Sequence, residues 1–155
     1  MRTMLVIDTI VAIFVNAVVF PVGLRLAGLA PPQTMTGGQG ALIDGTLATL
    51  CPIVLMTILM TLVLRARFRR QPPAYAALGW ARAVPRQIVV RSLFLVATGL
   101  IVLLPLRLLA IRALGLLPMT SATHFILNMA YGCAIGLIFL PVIFLATAAE
   151  RRSDV

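Results

Sequence analysis

The chain has 155 residues, 61% of them hydrophobic and 11% charged, and carries a formal net charge of +9. A soluble domain has about 25% charged residues, so an aqueous globular fold is excluded; in water this chain would expose apolar surface on every side. All thirteen basic residues are arginine; in a soluble protein that balance would suggest nucleic acid, but here the arginines flank apolar runs and no basic domain lies outside them, so no nucleic acid is expected as a partner.

The first apolar run, residues 4–24, begins almost at Met1 and is long enough to be a retained span rather than a cleaved signal. It contains Asp8, the only carboxylate well inside a span, and Asn16. Acids within membranes are functional hypotheses by default, although Asp8 lies only one to two turns from the end of its run, within reach of Arg2 or Arg91. Residues 30–40, rich in Pro, Gly and Thr, read as a loop, with Gly37, Gly38 and Gly40 forming a flexible turn. The second span is expected at 41–64, with Asp44 in its first turn, where a negative charge suits the helix dipole. Arg25, Arg107 or Arg112 is the expected partner of Asp44.

Residues 65–87 form a basic loop whose middle, 74–84, reads as a short interfacial helix presenting Tyr75, Leu78 and Trp80. Arg65, Arg67, Arg69, Arg70, Arg82 and Arg86 in and around this loop are expected to hold lipid headgroups. Pro85 suits the first turn of a third span at 88–109. A short loop at 115–123 makes the third and fourth spans antiparallel neighbours, and the fourth is expected at 125–148. There, Ala130 and Ala134, and Gly132 and Gly136, stand four apart and form a smooth face for helix packing or for a partner subunit. Asn128 lies in the same span, and with Asp8 and Asn16 makes an intramembrane polar set; an amide in lipid seeks a partner across helices.

Each span is long enough to cross about 30 Å of hydrocarbon, and helix is the form that satisfies every backbone group there. Ten of the thirteen arginines fall on one side, with only Arg25, Arg107 and Arg112 on the other. Both termini are therefore expected in the cytoplasm, with the chain as a multi-pass protein of the bacterial inner membrane. The expected fold is all-α: four transmembrane helices as two antiparallel hairpins in a single membrane domain.

The hairpins look like copies. A shift of 87 places Arg25 on Arg112, Gly28 on Gly115 and Pro31 on Pro118, and a shift of 82 places Cys51 on Cys133. An axis along the membrane normal would relate the halves, as in parallel-repeat transporters. The four short spans are similar in outline to the small multidrug transporters, which carry a glutamate in the middle of the first span. Asn16 stands there instead, so the resemblance brings no proton-coupling residue.

No phosphate loop, His-Glu metal helix or nucleophile-base pair is present, so enzyme activity is not expected. His124 reads as a lone imidazole at the mouth of the fourth span, and Cys51, Met56, Met60, Met129 and Cys133 read as core-filling rather than a copper set. No metal or cofactor is expected. The leading expectation is a non-catalytic accessory subunit of a larger respiratory or photosynthetic membrane complex, with lipids and other membrane subunits as partners. It rests on small extramembrane parts, few intramembrane polar groups and the small-residue face of the fourth span. An oligomeric transporter of small molecules or ions is the alternative, and a protein retaining a bound lipid or pigment is the third.

Overall fold

The computed structural model of the chain describes residues 10–11, 14, 34–35, 38–70 and 79–152. These are almost entirely helical. Helix α1 runs Gly38–Arg70 and helix α2 runs Ile88–Ala113, the latter with a π-helical turn at Gly99–Leu103. Helix α3 runs Ser121–Arg152. All three are long and apolar enough to cross a membrane; the 26 residues of the shortest reach about 39 Å. Four such helices were expected and three are found among the described residues. The expected first span, with Asp8 and Asn16, lies outside them apart from Ile10, Val11 and Phe14, which are helical and exposed.

The helix boundaries depart from the expected spans in informative ways. Gly38 and Gly40 belong to the first turn of α1 rather than to a flexible turn, because glycine at a helix start forfeits little packing. Of the interfacial helix expected at 74–84, residues 74–78 with Tyr75 and Leu78 lie outside the described residues; Gly79–Ala83 form a 3-10 turn, and Trp80 is exposed on it. Pro85 precedes α2 instead of opening it; Gln87 occupies the N-cap position without a side-chain capping bond. Two short strands, β1 at Thr34–Met35 and β2 at Met119–Thr120, pair antiparallel in the register Thr34–Thr120 and Met35–Met119. They tie the segments before α1 and α3 together at one end of the bundle, called here the strand end; the opposite end is the basic end.

Proline accounts for the widened turn of α2. Pro105 has no N–H to offer the carbonyl of Ile101, and its ring crowds the preceding turn. The helix relaxes into a π turn just before it, in which the Leu104 N–H bonds the Gly99 carbonyl.

The polarity of α1 is reversed relative to a soluble amphipathic helix. Its buried stripe includes Ala41, Gly45, Thr49, Pro52, Thr57 and Thr61. Its exposed side carries large apolar residues, among them Ile43, Leu47, Leu55, Leu59 and Val63. Water would favour the opposite arrangement, whereas lipid tolerates leucine outside and rewards small side chains at close helix contacts. The inward hydroxyls of Thr49 and Thr57 each donate to the carbonyl one turn back, at 2.6 Å in both cases, so their burial leaves no orphan donor.

Helix α1 packs against both α2 and α3, most extensively against α2. The core they share includes Ile53, Leu64, Leu95, Ile135, Phe139 and Ile143. Phe68 and Phe144 meet edge to face at 5.4 Å, closing it towards the basic end. Gly99 stands at a close approach of α1 and α2. A Cβ there would lie 2.5 Å from Ile53 Cδ1 and 3.0 Å from Thr49 Cγ2. Ile53 is fully buried and has no space to withdraw into. Gly99→Ala is therefore expected to destabilise the bundle by about 1–3 kcal/mol, read as a lowered melting temperature in detergent. Gly38→Ala, where nothing lies within 4 Å, is the neutral control.

Candidate functional site

Helix α2 carries two buried arginines, Arg91 near the basic end and Arg107 near the strand end. Their surroundings differ, and the difference singles out one of them.

Arg91 is fully buried and fully employed. Its Nε donates to the Pro85 carbonyl at 2.9 Å. Its Nη1 reaches the hydroxyls of Thr61 at 3.3 Å and Thr147 at 3.0 Å, and its Nη2 pairs with Glu150. Glu150 also accepts from Arg65 Nε at 2.9 Å, while Arg65 Nη2 donates to the Arg86 carbonyl at 2.6 Å. The network joins all three helices and pins the end of the basic loop to them. A buried charge is tolerable when it is paired and its remaining hydrogen-bonding groups are met; this arrangement is that of a structural latch.

Arg107 is almost as deeply buried and far less employed. Its Nη2 pairs with Asp44 of α1, and its guanidinium lies 4.9 Å above the ring centroid of Tyr131 on α3. Among the described residues its Nε and Nη1 have no hydrogen-bond partner. Gly45 makes the close approach of Leu104, one turn from Arg107, to α1 feasible; a Cβ there would lie 2.6 Å from Leu104 Cδ1, while Arg107 Cδ at 3.7 Å would stay in ordinary contact.

The remaining groups of this cluster converge on Asp44 and Tyr131. Asp44 divides its oxygens, Oδ2 to Arg107 and Oδ1 to His124 Nε2 at 3.0 Å. Asn128, one turn on from His124 in α3, places its side-chain amide 3.0 Å from the same ring nitrogen, and its Oδ1 is buried without a partner. A protonated Nε2 facing the carboxylate cannot also accept from an NH2 group, so in that tautomer the amide is turned with its oxygen to the ring. The Thr49 hydroxyl donates to the Gly45 carbonyl and is therefore the acceptor for the Tyr131 hydroxyl, 2.6 Å away. Asp44, Arg107, His124, Asn128, Tyr131 and Thr49 thus form one polar cluster across three helices.

Its depth follows from helix geometry. Asp44 and Arg65 are 21 residues apart on α1, a rise of about 32 Å, close to the hydrocarbon thickness of a bilayer. The two charged clusters therefore stand near opposite faces of the apolar layer.

Asp44 meets Arg107, one of the three partners expected for it, whereas His124, read as solitary, pairs with Asp44 and neighbours Asn128. The nearest polar partner of Asn128 is on its own helix rather than across the bundle. Gly132 and Gly136 are buried in the chain, Ala134 is half-buried and Ala130 is exposed. Of the arginines expected at headgroups, Arg69, Arg70 and Arg86 are exposed and Arg67 is half-buried, while Arg65 is committed to Glu150. Arg82 lies on the 3-10 turn. Among the described residues no group of three or more His, Cys, Asp or Glu side chains is placed to hold a metal ion, and Cys51 and Cys133 are free thiols. Glu150 and Tyr131 escaped sequence reading. The signal that could have found Glu150 is that it is one of only four acidic residues, on a helix whose neighbours supply many arginines.

No protein-family model, curated protein or solved structure matches this chain.

Proposed function

We propose that this protein binds a small polar or ionic solute at the Asp44–Arg107–His124 cluster and passes it across the membrane, without covalent chemistry. The observation that carries this reading is Arg107, a buried cation with two nitrogens lacking acceptors inside an apolar bundle. Unmet buried donors cost about 1–3 kcal/mol each, and helix packing alone supplies no reason to keep them. An ionisable cluster at the edge of the hydrocarbon is also where a solute would enter from one aqueous side.

The accessory-subunit reading draws less support from the structure. Its small-residue face is partly consumed, since Gly132 and Gly136 are buried, and the interior holds two charged clusters. The proposed setting is a bacterial inner membrane protein of four spans with both termini and the basic end in the cytoplasm, leaving the strand end on the outer side. Duplication of a hairpin belongs to the same proposal. Thr49 and Tyr131, which touch, are 82 residues apart, the offset that relates Cys51 to Cys133. Contact between equivalent residues is what an axis running between α1 and α3 produces.

The test is solute flux into proteoliposomes holding the full chain, followed by light scattering after osmotic shift with a panel of organic acids, amines and sugars. Wild-type vesicles are expected to admit at least one class faster than protein-free vesicles, and Asp44→Asn is expected to abolish the difference without loss of helical signal. Flux equal to that of protein-free vesicles for every class would remove the proposal.

A further inference from the structure

We infer that the ligand of this site is a small oxyanion, a phosphate or a carboxylate, which reaches Arg107 by taking the place of Asp44. The inference deepens the transport reading above and rests on it.

The unfilled capacity at the site is predominantly donor capacity. A guanidinium offers five N–H groups in a planar fork and accepts nothing, and planar oxyanions are its best-matched partners. Asp44 uses only Nη2, leaving Nε and Nη1 unmet. Arg91 shows how this chain treats an arginine meant to stay where it is, with every nitrogen engaged by protein. A cationic solute would find no spare carboxylate in the cluster, because both oxygens of Asp44 are taken.

Exchange is also built into the geometry. The side chain of Asp44 is 17% exposed and that of Arg107 is 1% exposed, so the carboxylate is the outermost member of the pair. An anion arriving from the strand end meets Asp44 first. Because Oδ1 of Asp44 is held by His124, Asp44 keeps a partner when Oδ2 gives up the guanidinium. The incoming oxyanion brings two or more acceptor oxygens where Asp44 brings one, and fills donors that the resting state leaves empty.

The oxyanion can come from solution or from a lipid headgroup, and two measurements on the full chain separate the sources. The first is calorimetric titration of the detergent-solubilised protein with inorganic phosphate. The second is native mass spectrometry of protein released from nanodiscs of phosphatidylcholine with and without phosphatidylglycerol. Arg107→Lys keeps the charge and the pairing with Asp44 but removes Nε and Nη1 as donors. It is expected to weaken binding by about tenfold or more while preserving the thermal melt. Asp44→Asn, which lifts the competition, is expected to tighten binding, and slower release then accounts for its loss of flux. Phosphate binding with this pattern supports the inference with a soluble ligand. Phosphatidylglycerol retained by wild type and lost from Arg107→Lys supports it with a lipid ligand. Wild type that takes neither, or Arg107→Lys that binds as well as wild type, overturns it. Asp44-dependent flux would in that case leave the transport reading standing with a ligand of different charge.

Discussion

Glu150→Ala is expected to destabilise the folded chain by about 3–5 kcal/mol, the range for removing one partner of a buried ion pair. The reason is Arg91, which is 0% exposed and would be left charged in the bundle with only neutral acceptors. Loss of Glu150 also frees Arg65, loosening its hold on the Arg86 carbonyl. Replacing both partners by apolar residues, as in Arg91→Met with Glu150→Leu, is not expected to rescue stability. The Pro85 carbonyl would lose its donor, and the hydroxyl of Thr61 would lose the guanidinium. Unfolding of the purified protein in a graded SDS titration, followed by circular dichroism, measures both variants.

The strand end is expected to respond in the opposite sense. Asp44→Leu alone should cost about 3–5 kcal/mol, because Arg107 would then have no anionic partner among the groups described around it. The double replacement Asp44→Leu with Arg107→Met is expected to leave the chain as stable as wild type, or more stable by about 1–4 kcal/mol. The pair it deletes is incompletely satisfied, and two orphan N–H bearing atoms go with it. The same double variant should lose all solute flux. Gain of stability with loss of activity is the signature of a functional site kept at the expense of the fold. The same SDS titration, run beside the flux measurement, checks it, and a double variant as unstable as Asp44→Leu would mark the cluster as a second latch.

Much of the helical outline could be read from apolar run lengths. The expected spans at 88–109 and 125–148 fall within α2 and α3, and that at 41–64 within α1. Run length was a poor guide to the ends. Helices outlast the apolar stretch when arginines follow it, as at Arg65–Arg70, because arginine is itself a good helix former. Counting arginines by side assigns Arg91 and Arg107 to opposite faces of the membrane but does not show that either is buried. Each is buried because a carboxylate from another helix meets it, and such a meeting depends on helix rotation and register, which one-dimensional hydropathy does not encode. His124 and Asn128 share a face by virtue of their spacing of four; what stayed hidden was that Asp44 would face them.

The reversed polarity of α1 has a consequence for how this sequence stores its structure. Leucine, isoleucine and valine on the outward side are exchangeable with one another, since acyl chains distinguish little between them. The threonines, alanine and glycine beneath them are not, since they are buried at helix contacts where a larger side chain has no room. Drift should therefore erase the greasy letters first and leave a sparse alphabet of small and hydroxylated residues. A distant descendant of this protein is better sought by that inner alphabet than by the hydrophobic blocks that make the chain conspicuous.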